Sequence, residues 1–253
     1  VALMVMLSNH ATVLLRSFDA LLSPTIVDRN GAIILRTENQ RGAFTRDGEI
    51  PERLKELVIA KEDEFFHYHP GVNVWSYLRV TGQFIRGNRS GGASTITQQL
   101  AKILLGNESE RTAKNKLSEL VASIALELNL SKDEILDMYL RVAYLGNQSQ
   151  GFPEASQVYF GKPLTQLSDS ELFSLVATLG SPSTRNPWSA RHEGYTRTLA
   201  THLGVSWEMP STIKKVSDRS GGNAKFELRS LHATCPTRMC KSTIDQELTA
   251  KLR

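Results

Sequence analysis

The chain has 253 residues, 40% of them apolar and 22% charged, with a net charge of +4 and a pI near 9.1. That apolar content builds one large domain or two small ones and excludes wholesale disorder. The mildly basic balance suits an anionic partner, whether phosphate, nucleic acid or an acidic membrane surface, and does not choose among them.

The chain opens "VALMVMLSNHATVLL", without Met, as a processed fragment would. Ser8, Asn9 and His10 interrupt this apolar run. It falls short of the roughly 20 residues that span a bilayer. Two readings stand for residues 1–24: the end of a truncated, membrane-proximal anchor, or a buried amphipathic segment. In "TIVDRNGAIILRT", β-branched residues flank Asn30-Gly31, which predicts a small N-terminal β-hairpin. From Pro51 the pattern turns helical: "PERLKELVIAKEDEFF" starts on Pro and repeats Leu54, Leu57 and Val58. "ASTITQQLAKILL" is helical in its second half. From Ser109 to Leu130, Ala113, Leu117, Leu120, Val121, Ile124 and Leu128 trace one apolar face of a long helix.

Two capping boxes follow, Ser131 with Glu134 and Ser168 with Glu171, each before a helical run. The expected fold class is therefore mainly α over about 51–188. Beyond Trp188 the periodicity weakens, and "STIKKVSDRSGGNAK" reads as linker or loop. The divisions read from the pattern are 1–24, 25–188 and 189–253. Cys235 and Cys240 leave a short-loop disulfide and a free pair both open, and their spacing is too wide for a CxxC motif.

Three stretches carry candidate chemistry. In "KEDEFFHYHPG", Glu62, Asp63 and Glu64 stand together at a helix end, where carboxylates oppose the helix dipole. Such triplets are ordinarily solvated. Phe65 and Phe66 beside them can desolvate one carboxylate and raise its basicity, as a general base or acid requires. His67 and His69 make weak metal ligands, and a packing or hydrogen-bonding role suits one of them better. In "GGASTITQQLAK", Ser94, Thr95, Thr97, Gln98 and Gln99 form a dense neutral hydrogen-bonding set, followed by Lys102. That set suits sugar hydroxyls, amides and a phosphate. A helix cap is the ordinary alternative, but it needs one such residue rather than five. On the long helix, Arg111, Lys114 and Lys116 cluster near Glu119, with Glu127 further on. The ordinary reading there is a surface laced with ion pairs.

These residues carry a resemblance. "EDEFFHYHPG" is similar to the first signature, E-D-x-x-F-x-x-H-x-G, of the peptidoglycan glycosyltransferases: the glycan-polymerising domains of class A penicillin-binding proteins and their monofunctional relatives. "GASTITQQLAK" resembles their second signature, "KLSELVASIALE" the third, "DEILDMYLRVAYLG" the fourth and "GFPEASQVYFGK" the fifth. All five occur in order from Glu62 to Lys162, and "LGSPSTRNPW" is similar to the segment that closes the domain. Three positions depart from the pattern: Asn115 stands for the usual Arg, Arg141 for Asn, and Ile103 for Asn. "CKSTIDQELTAKLR" resembles the lead-in to a transpeptidase domain. Ser211 and Lys214 spell S-x-x-K without the companion motifs, which reads as coincidence.

The resemblance implies a lysozyme-like α fold and an inverting reaction on lipid II and the growing glycan chain, with release of undecaprenyl diphosphate. It makes Glu62 the base that takes the acceptor hydroxyl proton, with Glu119 as the second catalytic carboxylate, orienting the donor or the cations. Asp63, Ser94, Thr95, Gln98 and Gln99 are then substrate-binding. Lys102, Arg111 and Lys116 stabilise the leaving diphosphate. It also implies a location at the bacterial cytoplasmic membrane, facing outward, and partners in cell-wall synthesis. Some relatives use a divalent cation, Mg or Mn, although no ligand cluster shows in the sequence. "VWSYLRVTGQFIRG", with Trp75, Tyr77, Phe84, Arg79 and Arg86, has the mixture of an interfacial segment or of a core helix with snorkelling arginines. Two other functions compete. A lysozyme-like glycan-cleaving enzyme needs no diphosphate clamp, and a non-catalytic scaffold needs no base. A nucleic-acid binder fits poorly, since acids interleave the basic residues and no stacking platform shows.

Overall fold

A computed structural model describes residues 2–22, 25–27, 33–36, 49–73, 75, 94–106, 112–147, 149–213 and 239–241. Its interpretable body is helical. In chain order the helices are α1 (Ala2–Leu22), α2 (Glu52–Glu62), α3 (Ile96–Leu105), α4 (Ala113–Asn129), α5 (Lys132–Val142), α6 (Phe152–Phe160), α7 (Asp169–Thr178), the short α8 (Pro182–Arg185) and α9 (His192–Leu203). The turn of the expected hairpin, Asn30-Gly31, lies outside the described residues. Near it only backbone pairing is seen: β1 (Thr25–Val27) runs antiparallel to β2 (Ile33–Arg36) and parallel to β3 (Met239–Lys241). The Cys235–Cys240 pair also falls outside the described side chains.

Both expected capping boxes form. Ser131 caps α5 with Glu134 and Ser168 caps α7 with Glu171, so the first orphan amides of each helix are satisfied locally. Helix α7 is buried from Glu171 to Thr178, on every face. Its Phe173, Leu175 and Val176 share one core with Leu54, Leu57 and Val58 of α2, Leu100 and Leu104 of α3, and Leu136 and Tyr139 of α5. Glu171 tolerates that burial because Lys162 and Thr212 donate to it besides Ser168.

The apolar face read on α4 does not turn to this core. Leu117, Ile124 and Leu128 are exposed, and the buried face carries Glu119, Ala122, Ser123, Ala125 and Leu126. Helix α4 lies against α1 and α3, and its small residues let both approach closely. A pattern rule that sends the most apolar stripe inward fails where packing selects for size. Helix α1 docks through Ala11, Leu14 and Phe18, and Ser8 donates to Asn129 at the end of α4. Among the described residues no helix is long and apolar enough to cross a membrane.

The segment after Trp188 does not stop packing where its periodicity fades. Helix α9 buries His192, Thr196 and Ala200, one residue per turn, and Trp207 and Ile213 join the core. Two of those three buried α9 positions are polar, so apolar periodicity could not mark them. His192 satisfies one ring nitrogen on the Arg185 carbonyl at 2.7 Å, while burial holds its basicity below the ordinary value of 6.5.

Two outcomes follow from this packing. Leu117→Gln should change stability by no more than about 0.5 kcal/mol, as exposed sites do. Ala122→Leu should cost about 1–3 kcal/mol by overpacking. Urea melts of the two variants check the assignment of the buried face. The second outcome concerns acid. Because His192 binds its proton less readily when folded, the unfolded chain gains protons first as pH falls below about 6.5, and stability drops there by up to about 1.4 kcal/mol per pH unit. In Tm measurements between pH 7.5 and 5, His192→Gln should flatten that decline.

Candidate active site

Helix α3 organises the candidate site, and its N-terminus is held from three sides. Thr95 accepts the Gln98 amide at 3.2 Å, while Gln98 Oε1 accepts the Thr95 amide at 3.3 Å, a complete capping box. Thr95 Oγ1 also donates to the Gly71 carbonyl at 2.6 Å. Gly71 holds φ +82°, and a Cβ there would meet Glu127 Cγ at 3.0 Å and the Ser123 carbonyl at 3.1 Å, so glycine is required for this approach. Asp63 Oδ2 accepts the Ile96 amide at 3.1 Å, and both Asp63 oxygens lie within 3.0 Å of His69 Nε2. The carboxylate thus sits at the positive end of α3. Asp63, Thr95 and Gln98 are all buried. Their named bonds lie inside the fold, and they build the site's frame.

The hydrogen-bonding role expected of one histidine falls to His69, while His67 is exposed. The aromatic pair does not act as expected. Phe65 is exposed, and Phe66 packs against His67 and His69 with Lys132 over its ring at 4.5 Å. Lys132 continues to Glu127 and to the His69 carbonyl, each at 2.7 Å, and Thr97 donates to Glu127 at 2.6 Å. This chain of bonds ties α3, α4 and α5 beneath the loop at His69. Thr97 is therefore structural.

Glu62 ends α2 with its side chain 15% exposed. Gln99 Nε2 donates to its Oε2 at 3.0 Å, and Tyr139 donates to Gln99 Oε1 at 2.8 Å. Burial first, and the charge of Glu62 second, push the Tyr139 phenol well above its ordinary range. It therefore stays a donor, and Gln99 is turned with its NH2 toward the carboxylate. Lys61 pairs with Glu62 Oε1 and donates to the Leu179 carbonyl at 3.0 Å. Lys61 and Tyr139 were not among the residues picked from sequence. Lys61 adjoins the carboxylates in the first motif and Tyr139 lies in the fourth, but nothing local marks either as a partner of Glu62.

A second arm begins at the same turn. Lys116 donates to Ser94 Oγ at 3.2 Å and pairs with Glu119 at 2.9 Å. Glu119 is buried and Lys116 is partly exposed, so the cation has solvent on one side. Lys102, one turn after Gln99, makes no ion pair among the described residues and is half-buried. Arg111 lies outside the described residues. The three departures from the motif pattern all lie within the described residues. Asn115 lies in the first turn of α4, where its amide donates to the Thr112 cap. Arg141 is buried and grips Asp137 with two bonds, and Ile103 packs against the core. The Mg or Mn that the resemblance allows finds no group of three His, Cys, Asp or Glu among the described residues.

At the end of α2 a carboxylate is held by two donors, and beside the start of α3 stands a second carboxylate–lysine pair. The chain belongs to the transglycosylase family: the family model described as Transglycosylase matches residues 30–203. Among its relatives, it is similar to penicillin-binding protein 1A of Neisseria cinerea, 41% identical over 164 residues, 64% of this chain and 20% of that protein. It is similar to the same protein of Neisseria flavescens, 39% over 174 residues (68% and 22%), and of Pseudomonas aeruginosa, 34% over 175 residues (68% and 21%). The matching region spans about a fifth of the length of those relatives. The domain read from the five motifs is thereby shown to be the transglycosylase domain of class A penicillin-binding proteins.

Thr95→Ala removes a cap and a buried bond to Gly71, and is expected to cost about 1–2 kcal/mol of stability. Ser94→Ala removes a half-exposed acceptor and should leave stability within about 0.5 kcal/mol. Chemical denaturation of both variants separates the residue that holds the frame from the half-exposed one beside it.

Proposed function

We propose that this domain polymerises lipid II into glycan strands. The observation that carries the proposal is the environment of Glu62, a largely buried carboxylate fixed by Gln99 at the mouth of α3. Glu62 takes the proton from the 4-hydroxyl of the acceptor sugar. The freed oxygen bonds to the anomeric carbon of the growing chain, and the bond from that carbon to the phosphate oxygen breaks. Undecaprenyl diphosphate leaves and configuration inverts.

The leaving diphosphate needs cations, and Lys116, Lys102 and Arg111 supply them in this reading. Lys116 is supported best, being partly exposed and aimed by Ser94 and Glu119. Glu119 orients that cation. Ser94 and Gln99 are the half-buried polar residues at the start of α3, bonded to Lys116 and Glu62, and in this reading they border the sugar, since Thr95, Gln98 and Asp63 are buried in the frame. The mainly helical body agrees with the lysozyme-like fold that the resemblance implies. A glycan-cleaving enzyme of similar shape has no use for a lysine set against its second carboxylate.

A lipid-linked substrate requires a site at a membrane surface. Trp75 is 79% exposed, as an interfacial residue is, and Leu117, Ile124 and Leu128 form an outward apolar stripe on α4. The remainder of the Val74–Gly87 segment lies outside the described residues. These exposed apolar residues support work at a membrane surface; the outer face of the bacterial cytoplasmic membrane and partners in cell-wall synthesis are part of the same reading by resemblance.

Glu62→Gln keeps size and removes the base. Polymerisation of purified lipid II should fall by at least about two orders of magnitude. Near-normal turnover would reject the assignment, and an inactive wild type would favour the scaffold reading.

A further inference from the structure

Consecutive residues on a helix point about 100° apart and do not ordinarily meet. Lys61 and Glu62 do meet, in the last turn of α2. The contact is inside the protein, with the lysine side chain 7% and the glutamate side chain 15% exposed. Lys61 is also fixed from the far side, since it donates to the carbonyl of Leu179, the residue that closes α7. Its stem therefore bridges two helices and delivers the ammonium group to one oxygen of Glu62, while Gln99 holds the other.

We infer that Lys61 is a positioning residue for Glu62: tethered to Leu179, its ammonium group pairs with that carboxylate and fixes it in the site. The inference rests on the reading of Glu62 as the base. A buried ion pair is poor value as a stabilising device, because the desolvation of both charges offsets their attraction. What the pair does supply is position: Lys61 holds one carboxylate oxygen and Gln99 the other, and a neighbouring cation favours the charged form of a carboxylate. Lys61 stays charged through the cycle. The proton from the acceptor hydroxyl goes to Glu62, and the ammonium keeps its own.

The groups around the pair are few and identifiable. Tyr139 of α5 faces it through Gln99. Arg185, at the end of α8, bears on Lys61 and stacks on Tyr195 of α9 at 3.9 Å. Burial lowers the basicity of Lys61 from its ordinary 10.5, Glu62 pulls it back up, and Arg185 lowers it again. Both phenols move the other way, above 10.0, chiefly by burial. Among these groups Lys61 is the one shifted toward losing its proton, and losing it removes the charge paired with Glu62 as pH rises.

The test uses wild type, Lys61→Met and Lys61→Arg with lipid II across pH 5 to 10.5, and a 13C NMR titration of glutamate carboxylates assigned with Glu62→Gln. In Lys61→Met the acid limb of kcat/KM and the Glu62 titration should both rise by about one pH unit or more. Its kcat should fall about tenfold or more at neutral pH, with little change in KM. Lys61→Arg should keep the acid limb and shift the alkaline limb upward, because guanidinium does not lose its proton in this range. An unchanged Glu62 titration in Lys61→Met overturns the inference whatever the activity. Should that variant not fold, an alkaline limb that stays in place in Lys61→Arg overturns it instead. A shifted titration with no polymerisation by wild type rejects the function of Glu62 as base and keeps the coupling of the pair.

Discussion

The anchoring of helix α3 is the constraint on which the site depends. Three amides at its start, those of Thr95, Ile96 and Gln98, would be unsatisfied in the core; the local capping box satisfies two and a carboxylate from a distant segment the third. Asp63 reaches the Ile96 amide from the end of α2, while Thr95 caps locally and ties down Gly71. The same Asp63 carboxylate engages His69. The start of α3 therefore cannot shift without breaking bonds to α2 and to the loop after it. Glu62, one residue before Asp63, is placed against Gln99 as a consequence. A buried donor or acceptor left without a partner costs more than its bond contributes when made, which is why such a frame holds its geometry.

Two layers of polar residue can be separated in motifs that read as uniform runs. In the second motif, Thr95, Thr97 and Gln98 face inward and spend their bonds on the fold, while Ser94 and Gln99 meet Lys116 and Glu62. In the first, Asp63 holds the Ile96 amide and His69, and Glu62 meets Lys61 and Gln99. Adjacent residues on a helix end differ in direction by about 100°, which suffices to send one carboxylate to an amide and the other to an amide side chain and an ammonium group. A dense polar motif is therefore a scaffold and a site interleaved.

Helix α4 shows the same interleaving in its apolar residues. Small side chains face α1 and α3, and the large ones are left outside. Close packing of three helices favours alanine and serine over leucine at the contact, because interaxial distance follows the side chains between the axes. Glu119 enters this narrow layer only with Lys116 beside it. The outward leucines then become surface that a lipid environment can cover.

Much of the protein was legible in residues alone. Capping boxes at Ser131 and Ser168, the helical spacing of Leu54, Leu57 and Val58, and five ordered motifs are local patterns, and local patterns follow from backbone geometry and hydrogen-bond valence within a few residues. They established a mainly helical domain, its family, and Glu62, Gln99 and Lys116 as residues of interest. The Thr95–Gln98 box was also written there as T-x-x-Q, although the density of polar residues around it argued for binding instead. What only the tertiary structure decided was who meets whom across the chain: Tyr139 with Gln99, Lys61 with Leu179, Asp63 with Ile96, and which face of α4 is buried. Those pairings join residues dozens of positions apart or turn on the size of a neighbour's side chain. The energy that selects them exists only once the helices are packed, so no periodicity along the sequence encodes it.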